Sequence, residues 1–427
     1  MKHQMATGGV ARLSLIAALL AAQPAAGVTY QASGFASVAA LGRAGTNGGG
    51  DGPVVVVDNQ AALEHYLAGD TPRTVAIRGS IEISEFGKEL TVGSNKTVLG
   101  LGDDAELVYG GLRVINESNV VIRNLTIRDS FVEGDWDGKT QDFDGIQVDN
   151  SHHVWIDHVH LTRMGDGLID LRQGGLDYVT ISNSILSEHN KALGVGWTDE
   201  SDQHVTIHHT WIHDTHQRNP SFDNVIGHFY NNLMEDVTSY GLNPRNNAVV
   251  VSENNIFDNV NRPYNIDGDA ELVARGDVLT NSPNADTPTG DAFDPREFYD
   301  YTLTDTRSLR DYVMANAGPQ AAIGVLPLFG DYNDDGQVDA ADYTVWRDSL
   351  GAQAGALPND PHLGPIGDAQ YQTWRANFGQ TREPATFPFA PTAAPEPAAA
   401  LLLMLLLAAA AIRWTRRPVR LPVAAAA

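Results

Sequence analysis

Six segments of this chain share one pattern: alternating apolar residues, a polar residue suited to a turn, then a second apolar group. They are Val121-Ile-Arg-Asn124-Leu-Thr-Ile, Val154-Trp-Ile-Asp-His158-Val-His-Leu, Val179-Thr-Ile-Ser-Asn183-Ser-Ile-Leu, Val205-Thr-Ile-His-His209-Thr-Trp-Ile, His228-Phe-Tyr-Asn-Asn232-Leu-Met and Val251-Ser-Glu-Asn-Asn255-Ile-Phe. The turn positions Asn124, His158, Asn183, His209, Asn232 and Asn255 are 34, 25, 26, 23 and 23 residues apart. Strands this short, repeating at this period, predict a parallel β-helix in which each coil buries its inward residues against the coils above and below. Asn tolerates the left-handed turn geometry, and stacked Asn side chains can hydrogen-bond along the stack. An antiparallel sandwich would need turns every roughly 8–12 residues, about half the spacing here.

The same period orders the charged residues between Asp142 and Arg218. Asp142 to Asp166 is 24 residues, Asp166 to Lys191 is 25, Lys191 to Arg218 is 27, and Asp144 to Asp170 is 26. Residues one coil apart lie on neighbouring strands, about 4.8 Å apart. Asp142, Asp144, Asp166 and Asp170 then share a face with Lys191 and Arg218, acids at one end and bases at the other. Like charges this close are costly unless something binds them, and a hard cation such as calcium suits four carboxylates. The single long step, 34 residues, contains the insert 131–140 just ahead of Asp142, which predicts a wall beside the acids.

Before the repeat, Val54–Val57 reads as a strand and Gln60–Leu67 as a short helix capped by Asp58 or Asn59. After about Pro263 the strand pattern fades, 267–295 reads as loop, and 309–317 as a terminal helix. The expected layout is a signal peptide over 1–27, the β-helix over 28–322, a small helical module over 328–380, a linker over 381–394 and a sorting tail over 395–420.

The formal net charge of -25 offers no basic field for phosphates and excludes nucleic acid as a partner. With no cysteine, thiolate and disulfide chemistry are absent. Lys2, His3 and Arg12 ahead of the apolar run 13–22, followed by Ala25, Ala26 and Gly27, read as a secretory signal. Near the other end Pro395-Glu396-Pro397 precedes the apolar run 398–412 and the cluster Arg413, Arg416, Arg417 and Arg420. That arrangement resembles the PEP-CTERM sorting signal of Gram-negative bacteria, and implies a secreted or cell-surface protein handled by membrane sorting machinery. A plain membrane anchor is the alternative.

In the small module, Asp331, Asn333, Asp335, Gln337, Asp339 and Asp342 occupy ligand positions of a calcium loop, with Gly336 at its sharp turn. Asp342 stands where an EF-hand has Glu. With the following Tyr343-Thr-Val-Trp-Arg-Asp-Ser-Leu-Gly351, the loop resembles a dockerin repeat, which implies a cohesin-like partner. A second helix, Tyr371-Gln-Thr-Trp-Arg-Ala-Asn-Phe-Gly379, follows a loop with Pro361 and Leu363 at ligand positions, so one calcium ion is expected, not two.

The central stretch resembles the pectate lyases of polysaccharide lyase family one, which have a right-handed parallel β-helix. The matching residues are Asp142-Phe-Asp144, Val154-Trp-Ile-Asp-His158, Asp166-Gly-Leu-Ile-Asp170, Val179-Thr-Ile-Ser182, His189-Asn-Lys191, His208-His209, Arg218-Asn-Pro220, Tyr230-Asn-Asn232 and Tyr240-Gly-Leu-Asn-Pro-Arg245. The resemblance implies an all-β enzyme that cleaves polygalacturonate by calcium-dependent β-elimination. Asp144, Asp166 and Asp170 would be the main calcium ligands and Asp142 a further one. Lys191 would bind a substrate carboxylate, and Arg218 would remove the C5 proton. Asp223 stands where family members commonly have a second Arg, and Arg245 is the candidate to supply that contact. Guanidinium gives up a proton only when nearby cations disfavour its charge, which predicts a preference for alkaline pH.

Two other readings compete. A non-catalytic β-helix could bind acidic polysaccharide at the cell surface. A glycoside hydrolase would need two carboxylates placed across a sugar, whereas these acids are clustered with Lys and Arg in line.

Overall fold

The computed structural model describes residues 31–381, except 51, 201, 327, 354, 361 and 363. The signal-like stretch 1–27, all of the linker but its first residue, the tail 395–420, and Pro361 and Leu363 lie outside the described residues. Among the described residues no helix is long and apolar enough to cross a membrane.

The chain coils into a β-helix with three stacks of parallel strands. The first stack includes Ser118–Arg123, His152–Asp157, Asp177–Ser182, Gln203–His208, Val225–Tyr230, Val249–Glu253 and Glu271–Arg275. The second includes Thr126–Arg128, His160–Thr162, the start of Ile185–Gly196, Trp211–Gln217, Leu233–Val237, Ile256–Val260 and Val278–Thr280. The third consists of Lys88–Thr91, Gly110–Ile115, Ile146–Asp149, Gly167–Arg172, the end of Ile185–Gly196, Ser221–Asp223 and Asn243–Arg245.

The register explains the repeat. Ile122, Ile156, Ile181, Ile207 and Phe229 are partners in successive rungs and are fully buried in one continuous apolar core. Each such side chain contributes about 1.5–3 kcal/mol by leaving water. Helix α1, Gln60–Leu67, covers the first coils with Leu63 and Leu67, and Asn59 caps it by accepting from the Ala62 amide at 3.0 Å. Helix α2, Thr306–Asn316, lays Leu309 and Val313 on Leu233 and Ile256.

Between the first and second stacks, the left-handed turn residues are Asn124, His158, Asn183, His209, Asn231 and Asn254, with φ between 46° and 59°. In the last two of these six turns the left-handed residue is thus one position earlier than the spacing predicts. Asn232 and Asn255 instead point inward and form a buried ladder. Asn255 Oδ1 accepts from the Asn232 amide at 2.8 Å and from Asn232 Nδ2 at 3.0 Å, and Asn255 Nδ2 donates to Asp277 Oδ1 at 3.0 Å. The strand pattern does not stop at Pro263. The expected loop contains Glu271–Arg275 and Val278–Thr280, a final coil whose outer strand is exposed and so lacks an apolar signature.

Beyond the β-helix, α3, Ala340–Asp348, and α4, Asp368–Asn377, pack through Val345, Trp346 and Trp374 around buried Tyr332, Leu357 and Ile366. In the loop before α3, Asp331 accepts from the amides of Asp335 and Gly336, both at 3.0 Å. Asp342 accepts from the amides of Asn333, at 3.0 Å, and Asp339, at 2.7 Å. Before α4 the equivalent of Asp342 is Gln370, whose amide bonds Asp360 and the Gly367 amide instead.

Candidate active site

The bends from the second stack into the third lie one above another, and they carry the charged residues. Asp144 precedes Ile146–Asp149, Asp166 precedes Gly167–Arg172, Lys191 opens the inner end of Ile185–Gly196, and Arg218 follows Trp211–Gln217. Rung pairing places Gly167 beside Lys191 and Lys191 beside Gln217, so the order along the axis is acid, acid, lysine, arginine.

Carboxylate oxygens of Asp142, Asp144 and Asp166 lie within 4.8 Å of one another. Asp144 is fully buried; its Oδ1 accepts from the Gly167 amide at 2.8 Å, and its Oδ2 has no partner. Asp170 is buried too, and its Oδ1 has no partner. Gly167 explains the gap between them, because a Cβ there would lie 3.0 Å from both Asp144 Oδ1 and Asp170 Oδ1. Gly194 is needed for the same reason, since its Cβ would meet Asp170 Oδ1 at 2.8 Å and Trp197 Nε1 at 2.9 Å. Burial raises Asp144 well above the ordinary carboxylate range, and the neighbouring Asp170 adds to it. Burial raises Asp170 likewise, while Arg218 and Arg172 oppose the shift. Two buried carboxylates that approach each other across a glycine, each with one orphaned oxygen, fit a hard divalent cation. Asp142, Asp144 and Asp166 make the tight group, and Asp170 borders it from the strand behind.

Two neighbours had no signal in the repeat. Glu89, on Lys88–Thr91, accepts from the Asp144 amide at 2.9 Å and is pushed up to about 7 by burial. Arg172 reaches Asp149 at 3.1 Å, Asp142 at 3.7 Å and Asp170 at 3.8 Å, so one guanidinium spans the acid cluster. Glu89 precedes the first repeat unit. Arg172 is a plausible surface residue until the register turns it toward the acids.

At the basic end, the Lys191 ammonium is buried and paired with Asp166 Oδ1. His189 holds the Asp166 carbonyl at 2.8 Å. Arg218 sits in the left-handed region, φ 56°, like the turn residues of the coils, immediately before the cis Asn219–Pro220 bond. Its guanidinium lies 4.7 Å from the Trp197 ring centroid, and that of Arg245 lies 5.3 Å from it. Arg245 stands one rung above Asp223, with its Nε 3.8 Å from that carboxylate. The acid that replaces the commonly found second Arg therefore faces Arg245, and Trp197 gathers both arginines. His208 and His209 lie on the other side of the molecule, under residues 33 and 304, and Asp157 bonds Arg123, His158 and Ser182.

Comparison with known proteins agrees with this geometry. A pectate lyase family model matches residues 9–323. A pectate trisaccharide-lyase of Thermotoga maritima is 31% identical over 348 residues, covering 72% of this chain and 93% of its own. Pectate lyase A of Emericella nidulans is 32% identical over 318 residues, covering 69% and 88%. Among solved structures, a pectate lyase from Bacillus sp. N165, in complex with trigalacturonate, superposes with a TM-score of 0.57 at 25% identity, covering 67% of this chain and 98% of that one. These findings set aside the hydrolase and non-catalytic readings: the chain belongs to the pectate lyase family and is a polysaccharide lyase.

Proposed function

We propose that this enzyme cleaves α-1,4-linked polygalacturonate by calcium-dependent β-elimination, giving 4,5-unsaturated oligogalacturonides. The observation that carries the reading is the pair of unpartnered, buried oxygens on Asp144 and Asp170, in line with Lys191 and Arg218. Asp142, Asp144, Asp166 and Asp170 would hold the ion. Calcium bound there supplies positive charge to a uronate carboxylate, which acidifies the hydrogen on the adjacent C5. Lys191 adds a second cation to that carboxylate, shared with Asp166. Arg218 takes the C5 proton; the C5–H electron pair becomes the C4–C5 double bond, and the C4–O bond breaks, its pair leaving with the departing sugar oxygen. That oxygen is protonated from water. Arg245, stacked with Arg218 on Trp197, binds a neighbouring uronate in place of the absent second Arg.

The chain is read as exported by its N-terminal signal and sorted to the cell surface through its tail. The dockerin-like loop, Asp331 to Asp342, would hold one further calcium ion and present α3 and α4 to a cohesin-like protein.

The test is absorbance near 235 nm on polygalacturonate. Activity should vanish in excess chelator and return with calcium. Full activity under chelation would remove calcium from the mechanism, and no absorbance gain on polygalacturonate with calcium present would remove the substrate.

A further inference from the structure

The insert 131–140 does more than wall the cleft. Asp135 closes it, accepting from the Lys139 amide at 2.9 Å and the Thr140 amide at 2.9 Å. Gly138, φ 56°, presses on the acid cluster so tightly that a Cβ there would lie 2.8 Å from Asp166 Cα. Asn190, the residue before Lys191, donates from Nδ2 to the Trp136 carbonyl at 2.7 Å, and Gln217 in turn holds Asn190 Oδ1 at 3.1 Å. The loop thus packs on Asp166 and is bonded to Asn190, which Gln217, the residue before Arg218, holds in turn.

What this anchoring presents is an indole. Trp136 is 50% exposed, the only tryptophan among the described residues that stands this open, and its ring lies edge-on to His189, with centroids 6.4 Å apart. A single exposed apolar side chain is ordinary on a protein surface. One whose own carbonyl is bonded to the residue next to the cleft lysine, on the only long insert of the repeat, is placed.

We propose that Trp136 is a stacking platform for a uronate ring of the bound polysaccharide, one unit removed from the unit whose carboxylate Lys191 holds. A pyranose carries its carboxylate and hydroxyls at the edge and presents C–H groups on its faces. A rigid indole covers such a face at little entropic cost, because the loop has already fixed it. The anionic edge is then left to the Lys191 and Arg245 side of the cleft. This assignment rests on polygalacturonate being the substrate. It makes Trp136 a residue that sets affinity and the preferred substrate length, with no part in proton transfer.

The experiment is steady-state kinetics of the full chain with calcium, on long polygalacturonate and on trigalacturonate, for Trp136→Ala and Trp136→Phe. Loss of a contact made equally in the ground and transition states raises KM and spares kcat. Trp136→Ala should raise KM for the long substrate about five- to tenfold, the scale of one aromatic stack, with kcat within about twofold and the melting temperature unchanged. Trp136→Phe, which keeps a ring, should recover most of the loss. A KM for Trp136→Ala equal to that of the unaltered enzyme would overturn the platform alone. So would equal losses in Ala and Phe variants that melt early, since that pattern marks a structural residue. An unaltered enzyme inactive on polygalacturonate would overturn both this assignment and the substrate reading beneath it.

Discussion

The same coils carry two stacks of polar side chains, and they are treated in opposite ways. On the first face, His208 and His228 are buried and His209 half-buried beneath residues 33–37 and 298–304. Every ring nitrogen has a partner: Ser33 at 2.7 Å and His209 at 2.8 Å for His208, Thr304 at 3.1 Å for the far side of His209, Tyr299 at 2.6 Å and Glu253 at 3.3 Å for His228. On the third face, Asp144 and Asp170 are as deeply buried, yet each keeps an oxygen with no partner. Buried polar groups are normally satisfied because an orphan costs about 1–3 kcal/mol. The histidine stack is therefore architecture, and the acid stack fits the proposed cation. His228 is the rung partner of Thr206 and His208 that of Tyr230, so the histidines cluster across two coils without sharing one column.

The sharpest break in that comparison is at the basic end. Arg218→Lys keeps the charge but loses the planar fork and changes its reach. If Arg218 is the base, kcat should drop about a hundredfold or more, or ~2.7 kcal/mol in barrier, while calcium affinity stays as it was. Lys191→Ala should instead weaken both substrate affinity and rate, because its carboxylate partner is present throughout. Calcium titration and kinetics on the two variants separate these roles. A near-normal kcat for Arg218→Lys would move the base elsewhere.

Most of the β-helix was legible because each coil repeats one demand: apolar residues inward, a turn residue after them. The approach of Asp142, Asp166, Lys191 and Arg218 on successive coils followed from counting, but Asp170 is not one coil from Asp144: its rung partner is Gln147. What was not legible depended on direction. Asn232 and Asn255 look like turn residues in the sequence, but the left-handed residues are Asn231 and Asn254, and only the strand register distinguishes a turn Asn from the inward one beside it. Asp277, which ends the Asn ladder, lies in a stretch read as loop. Glu89 and Trp136 sit where no repeat unit exists to give them a partner, and Trp197 gains its meaning only when Arg218 and Arg245 both fold onto it.

The Asn ladder sharpens the contrast on the satisfied side. Asn255→Ala would strip partners from the Asn232 amide, Asn232 Nδ2 and the Phe229 carbonyl at once. The expected cost is about 2–3 kcal/mol of stability with kcat unchanged, measured by denaturant unfolding and the 235 nm assay. A neutral substitution would mean the ladder is as incomplete as the cleft.

The smallest effect is the most diagnostic, because the two stacks answer pH with opposite signs. Burial raises Asp144 and Asp170, and lifts Glu89 to about 7. A carboxyl with a folded pKa above its unfolded value stabilises below that unfolded value, about 4, and loses the contribution as pH rises through the folded one. Burial lowers His208, and lowers His209 to about 4. Those rings are neutral in the fold, so their penalty grows as pH falls below about 6.5. In metal-free protein the two trends overlap and oppose each other between about pH 4 and 7. Calcium bound as proposed would remove only the first, since it would take up the charge that the acids cannot share. The gap in melting temperature between calcium-loaded and chelated protein should therefore widen from about pH 5 to about pH 8. Asp170→Asn, which deletes one buried charge at nearly constant shape, should melt roughly 2–4 °C above the unaltered protein at about pH 8 in chelator, while losing calcium-dependent activity. The acid-side fall should persist in the loaded protein and in the variant alike, because the histidine stack is untouched in both. If Asp170→Asn melts below the unaltered chelated protein at that pH, the carboxylate was a satisfied structural group, and the distinction between the two stacks fails.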